Sequence, residues 1–270
     1  MKIKFTKIEG SGNDFVLIDN IKGNIPNLSR RLRSILCDRK SGIGADGILV
    51  LEKDREFPFM MRYFNADGRE AEMCGNGARC SAFYAFSKGY VQRKFCFRSK
   101  SGIHNAQVFK NNLIKVELPP CNFKGKVSLR VKEKTLEGFF LQVGVPHLVI
   151  LAKNIEKVDV QKIGKRIRKL KRFAPKGTNV NFVKIKNRNR LSIRTYERGV
   201  EAETLSCGTG AAASACIAYK EKNFPSTIYV DPPSEETIKV SIVGVKDKLI
   251  PYITAKSHIV FSGTVELPGI

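Results

Sequence analysis

Two short phrases hold the residues of this sequence best suited to chemistry. Residues 74–85 read Cys-Gly-Asn-Gly-Ala-Arg-Cys-Ser-Ala-Phe-Tyr-Ala, and residues 207–218 read Cys-Gly-Thr-Gly-Ala-Ala-Ala-Ser-Ala-Cys-Ile-Ala. One Cys, two Gly and three Ala recur at the same offsets, nearly half a chain length apart. A Cys directly ahead of Gly-x-Gly at a helix start lies beside unpaired backbone N–H groups and the positive end of the helix dipole. That setting lowers a thiol's pKa and favours the thiolate. The glycines leave room for a ligand, and the same N–H groups bind carboxylate or phosphate. A single such element fits a small buried residue before a helix equally well. Two copies point instead to Cys74 and Cys207 as thiols on either side of one ligand.

Near mirror-image groups suit inversion at a stereocentre. One base removes a proton from one face while an acid returns a proton to the other. An amino-acid α-carbon fits, because its carboxylate can rest on helix N-termini as charge builds on it. Each unit of pKa mismatch between thiolate and α-proton costs about 1.4 kcal/mol, so oriented N–H dipoles must do much of the lowering. The other cysteines read as structural: Cys37, Cys96 and Cys121 as small buried residues, Cys80 and Cys216 as helix core.

The elements around each phrase recur in the same order. Strands are predicted at Ile3–Ile8, Val16–Asp19, Ile48–Glu52 and Met60–Phe64, with a helical apolar face at Leu28, Leu32, Ile35 and Leu36. The first phrase then opens an Ala-rich helix to Gly89, and strands follow at Phe95–Ser99, Asn105–Phe109 and Leu113–Leu118. The second half predicts strands at Phe139–Val143, Leu148–Leu151, Asn179–Ile185 and Leu191–Tyr196. The second phrase opens a helix to about Lys222, followed by strands at Thr227–Val230, Thr237–Val243 and Ile259–Leu267. Both halves close on Val-Glu-Leu-Pro, at 116–119 and 265–268. A helix apolar most of the way round is expected to be buried. The fold predicted is therefore α+β: two pseudo-symmetric lobes of mainly antiparallel strands, each wrapped on a central helix, with the active site in the cleft between them. Residues 1–119 with 259–270 form the lobe carrying Cys74, and residues 120–258 the lobe carrying Cys207.

Composition narrows the class. The chain has 270 residues, 42% of them hydrophobic, which suits a globular protein with a substantial core. No apolar run reaches the roughly 18–20 residues of a membrane helix. The first residues alternate like a strand and lack the apolar block of a signal peptide, so a cytoplasmic protein is expected. Seven Cys without regular spacing suit a reducing compartment. No C-x-x-C occurs and the His residues are 104, 147 and 258, so no metal site is expected. The Gly-x-Gly pieces lack the G-K-[ST] of a phosphate loop, and neither a nucleotide nor a pyridoxal-phosphate signature is evident. A net charge of +23 keeps one rival of another class, a basic nucleic-acid-binding protein. Yet in the densest basic run Val160, Ile163, Ile167 and Leu170 fall on one helical stripe, which reads as a solvated amphipathic helix.

The surrounding residues extend the pattern. Arg62-Tyr-Phe-Asn-Ala-Asp-Gly68, Ala71-Glu-Met-Cys-Gly-Asn-Gly-Ala-Arg79, Glu197-Arg-Gly-Val200 and Glu203-Thr-Leu-Ser-Cys-Gly-Thr-Gly210 resemble the diaminopimelate epimerase family. Gly10-Ser-Gly-Asn-Asp-Phe15, Gly44-Ala-Asp-Gly47, Pro146-His147 and Gly177-Thr-Asn-Val-Asn-Phe182 match its other signatures in the same order. The resemblance implies a cofactor-independent homodimer that interconverts LL- and meso-2,6-diaminopimelate for lysine and cell-wall synthesis. By the same resemblance Cys74 and Cys207 are the acid and base, supported by His147 and Glu197. Substrate contacts carry over to Asn13, Asn65, Gly75, Asn76, Asn179, Arg198, Gly208 and Thr209, with no metal, nucleic acid or membrane partner. Arg198 can hold a carboxylate by two parallel hydrogen bonds, and Asn side chains can serve both ends of a zwitterion. Val145 stands where many members have Asn, and Gly47 where some have Gln; both positions can touch the distal end of the substrate. The segment Gly199-Val-Glu-Ala-Glu203 is one residue longer than the commoner spacing. The nearest rival is a related two-cysteine racemase of the proline, hydroxyproline or histidine type.

Overall fold

The alternation of Lys2, Ile3, Lys4 and Phe5 produces a strand with one buried face, as period-two patterning requires. A computed structural model describes residues 2–131 and 134–267; Met1, Lys132, Glu133 and 268–270, including the Pro268 of the second Val-Glu-Leu-Pro, lie outside the described residues. The chain divides into two compact units, Met1–Val116 with Ala255–Ile270, and Glu117–Thr254.

In the first unit, β1 (Lys2–Gly10) and β2 (Asn13–Asn20) form an antiparallel hairpin around Ser11-Gly12. Both turn residues have positive φ. Helix α1 (Arg30–Cys37) starts on the Ser29 cap, whose side chain accepts from the Leu32 N–H. The helix crosses the chain over to β3 (Gly47–Glu52), which runs parallel to β2. Leu32 and Leu36 of α1 pack with Val16, Ile18, Ile48 and Phe64; burying each leucine contributes about 1.5–3 kcal/mol. Next come β4 (Met60–Asn65), antiparallel to β3, the short β5 (Glu70–Ala71) and helix α2 (Gly75–Ser87). Then β6 (Lys94–Ser99) pairs parallel with β4, and β7 (Gly102–Val108) and β8 (Leu113–Glu117) continue antiparallel.

The second unit begins with an antiparallel pair, β9 (Asn122–Val131) and β10 (Lys134–Val143). From β10 the first unit's order returns. A tight turn leads to β11 (Val145–Leu151), α3 (Val160–Arg168) crosses over, and β12 (Asn179–Asn187) runs parallel to β11. Antiparallel β13 (Arg190–Glu197), short β14 (Ala202–Thr204) and helix α4 (Gly208–Lys222) follow. Then β15 (Thr227–Asp231) lies parallel to β13, with β16 (Ile238–Val245) and β17 (Lys248–Lys256) antiparallel beyond it. The last strand, β18 (His258–Glu266), returns to the first unit and pairs with β1. Each half of the sequence thus gives its final strand to the unit begun by the other half.

The basic run behaves as its periodicity predicts. In α3, Val160 and Ile167 are buried with Phe182 and Tyr196 while Lys162, Lys165 and Arg166 face solvent. Gly164 is required there, since a Cβ would meet the Tyr196 Cβ at 2.3 Å. Helices α2 and α4 are buried along most of their length, the latter from Gly208 through Ala218. No described helix is long and apolar enough to cross a membrane. The sequence reading lacks β9, the first half of β10, the short β5 and β14, and β17, whose Pro251 sits mid-strand opposite Ile242. Cys96 departs from the core assignment. It is half-buried on β6 and its thiol donates to Asn105 Oδ1 at 3.0 Å.

Candidate active site

In the first unit, parallel β2 and β3 begin, and antiparallel β4 ends, at one edge of the sheet. Phe15, Gly47 and Asn65 lie in register there, with Asn13 two residues before Phe15. Helix α2 is capped by Cys74, whose backbone is extended (φ −137°, ψ 114°). The Gly77 N–H donates to Cys74 Sγ at 3.4 Å, and Cys74 Sγ lies 3.8 Å from Asn13 Oδ1. Asn13 donates to Asp46 Oδ2 at 2.6 Å, which turns its carbonyl oxygen toward the thiol and toward Asn76 Nδ2 at 3.5 Å. Asp46 is held by Arg39, which also grips Asp14 through both terminal nitrogens, and Lys7 completes the cluster. Burial opposes the charge of Asp14, but its hydrogen bonds from Arg39 and Lys7 outweigh that and pull its pKa down to about 2. On the other side of Asn76, fully buried Arg79 donates to Asn76 Oδ1 at 3.0 Å and to Ser11 Oγ at 2.7 Å. Gly77 lets the helix settle on β3, because a Cβ would lie 2.8 Å from Leu49 Cδ2.

The second unit builds the same frame from β11, β12 and β13. His147 and Asn179 are in register at the starts of the parallel pair, and Glu197 ends β13 beside them. Cys207 caps α4 with extended backbone (φ −130°, ψ 102°) and lies 3.6 Å from Thr209 Oγ1. Gly210 approaches β12 so closely that a Cβ would meet Asn181 Oδ1 at 2.4 Å. Asn179 accepts from the Arg198 N–H at 2.8 Å and donates to Pro146 O at 3.2 Å, tying the strand starts to the turn after β13. Thr204 Oγ1 donates to Glu197 Oε2 at 3.1 Å. The longer turn is absorbed by Glu201, which takes a positive φ and accepts from Arg168 at 2.7 Å, from the Gly199 N–H and from Tyr196 Oη.

His147 has a defined protonation state. It is completely buried, and burial followed by the charge of Arg198 lowers its pKa to about 3. Thr195 Oγ1 donates to Asn181 Oδ1 at 3.0 Å, so the Asn181 nitrogen faces Leu148 O at 3.1 Å and His147 Nδ1 at 3.2 Å. Nδ1 is therefore an acceptor, and the neutral imidazole carries its proton on Nε2. That Nε2 is buried with no hydrogen-bond partner among the described residues.

Each half-site thus has a thiol at a helix start, the backbone N–H groups of the following turn and a polar strand end beside it. A helix start of this kind favours a thiolate or a bound anion. The family model described as diaminopimelate epimerase matches residues 5–123 and 139–259. The chain belongs to the diaminopimelate epimerase family. It is 40% identical over 228 residues to the diaminopimelate epimerase of Aquifex aeolicus, covering 80% of this chain and 81% of that one. It is 36% identical over 264 residues to that of Chlorobaculum tepidum, covering 96% and 100%. The solved structure of a probable proline racemase from Agrobacterium radiobacter K84, with bound carbonate, superposes with a TM-score of 0.80 at 14% identity over 98% of this chain and 93% of that one. That likeness is one of fold.

Of the residues singled out by the family pattern, Cys74, Gly75, Asn76, Asn13 and Asn65 lie in the first unit. Cys207, Gly208, Thr209, His147, Asn179, Glu197 and Arg198 lie in the second. The two family departures have a local account. Val145 is buried at the start of β11, and a side chain at Gly47 is excluded because its Cβ would meet Phe64 O at 2.5 Å and Tyr63 Cε2 at 2.6 Å. Sequence reasoning missed Arg79, Asp46 and Asn181. Arg79 had a readable signal, a lone charge in a helix otherwise built of small and apolar residues. Asn181 had one too, an amide between Val180 and Phe182 in a strand buried on both faces.

Proposed function

We propose that the protein interconverts LL- and meso-2,6-diaminopimelate by proton transfer at one α-carbon, with Cys74 and Cys207 as the two acid–base groups and no cofactor. One thiolate removes the α-proton, and the other thiol delivers its proton to the opposite face; the reverse reaction exchanges the two roles. The N–H groups of the first turns of α2 and α4 carry the substrate carboxylate as negative charge develops on it. Arg198 offers a two-pronged partner for a carboxylate, and Asn13, Asn65, Asn76 and Asn179 supply amides for the zwitterion. His147, neutral and with its proton on Nε2, has a donor to offer bound substrate and carries no charge into the reaction.

The observation that carries this reading is the paired helix cap: a Cys followed by Gly-x-Gly opens a buried Ala-rich helix in each unit. Both acid–base groups work only as reduced thiols, which suits the cytoplasm. The family resemblance supports a homodimer, which sedimentation equilibrium tests. The decisive experiment incubates reduced protein with LL-diaminopimelate in deuterated water. Deuterium enters the α-position and meso product accumulates together; absence of both refutes the reaction. Proline, hydroxyproline and histidine serve as competing substrates and are expected to show no exchange.

A further inference from the structure

Cys121 and Cys216 take no part in that reaction, and their sulfurs lie 2.7 Å apart inside the second unit. This is well inside the roughly 3.5–4.0 Å at which even carbon atoms rest in contact. It exceeds the bond length of a disulfide by only about 0.7 Å. Both side chains are buried, Cys121 at 7% and Cys216 at 0% exposure. Cys121 is fixed just before β9, where its N–H donates to Leu249 O at 2.8 Å. Cys216 sits in the middle of α4, so neither sulfur is placed by a loose loop. Burial and the neighbouring sulfur push the Cys216 thiol well up, so Cys216 stays protonated in the folded unit.

We propose that Cys121 and Cys216 form a disulfide as the second unit folds, linking positions 95 residues apart. The chemistry is exchange with a small disulfide such as oxidised glutathione. One cysteine thiolate attacks it, forms a mixed disulfide and releases one glutathione thiolate. The second cysteine loses its proton to solvent and attacks the mixed disulfide, releasing the second glutathione. Two protein thiols are oxidised, and one glutathione disulfide is reduced to two thiols. Because the folded pair is buried, the exchange takes place while the unit is still open. The bond anchors the chain before β9 to the helix whose cap is Cys207, and it is independent of the reaction assigned above.

The test refolds reduced, denatured full-length protein in a buffer of reduced and oxidised glutathione, quenches it with acid, caps free thiols with iodoacetamide in denaturing urea and maps tryptic peptides. Trypsin leaves Cys207 and Cys216 in one segment, residues 199–220, so backbone fragmentation must assign the link. The expected result is the Cys121 peptide joined to Cys216, with a higher denaturation midpoint than the same protein reduced with dithiothreitol. Cys121→Ser should leave Cys216 fully capped and remove that shift. Complete capping of both residues in refolded wild type, or a link from Cys121 to Cys207, overturns the proposal. If Cys121→Ser does not refold, the wild-type map decides alone.

Discussion

Around Cys74 the polar groups are two amides, a carboxylate cluster and a buried guanidinium. Around Cys207 they are hydroxyls, two amides and an imidazole. Strand register makes the contrast specific. Phe15, Leu49 and Asn65 in the first unit occupy the places of His147, Asn181 and Glu197 in the second, and Asn13 the place of Val145. Along the helices, Arg79 stands at the offset of Ala212. On the proposed mechanism equivalent bases suit the step, since one removes a proton from one face while the other returns its own proton to the opposite face. The other three substituents of the α-carbon must stay fixed while the proton changes side. On that mechanism a symmetric pocket could not distinguish carboxylate, ammonium and side chain, so duplication would supply the two bases and divergence the orientation.

The first way to break the comparison is to remove either base. Cys74→Ala and Cys207→Ala should each lower epimerisation by roughly 10³-fold or more, the upper part of the range for positioned acid–base groups, with the circular dichroism spectrum unchanged. Survival of substantial activity in one of them would show that only one thiol is chemical. Next, Arg79→Met should release Asn76 and the Ser11 turn. We expect a loss of about 1–3 kcal/mol in stability from the unpaired buried groups and a raised KM, whereas Ala212→Met at the equivalent offset should disturb packing alone.

A smaller change sharpens the second half-site. Asn181→Leu copies the first unit's Leu49 and leaves His147 Nδ1 without its donor. We expect about a tenfold loss of kcat and a shift in the imidazole nitrogen resonances toward mixed tautomers, read by nitrogen-15 NMR; Asn181→Gln should restore part of both. The two half-sites should also differ in pH dependence. His147 has its pKa lowered from 6.5 to about 3 in the folded chain, so the unfolded chain takes up the proton first as the pH falls. Its contribution to stability is complete above about pH 6.5 and is lost as the pH falls toward 3, at no more than about 1.4 kcal/mol per pH unit. Urea unfolding of His147→Gln should show a correspondingly flatter acid limb than wild type. Phe15, its counterpart, contributes no such slope.

Local pattern carried much of this into the sequence. The cysteine caps, the Ala-rich helices and the amphipathic α3 follow from spacing alone, and the strand order followed from alternation and turns. The second β-hairpin strand at β17 was hidden by Pro251, which has no N–H to donate and so argues against a strand interior. Arg79, Asp46 and Asn181 were hidden for another reason. Their roles depend on which side chain lies across the sheet or under the helix, and register is not written at any single position.

The exchange of final strands sets an order on the folding of the chain. The second unit is one uninterrupted span, from Glu117 to Thr254, whereas the first waits for β18 before β1 gains its outer neighbour. During synthesis, the half that leaves the ribosome first is therefore the half completed last. A chain truncated after Lys256 should retain the second unit's paired strands and leave the edge of β1 bare, an open template for aggregation.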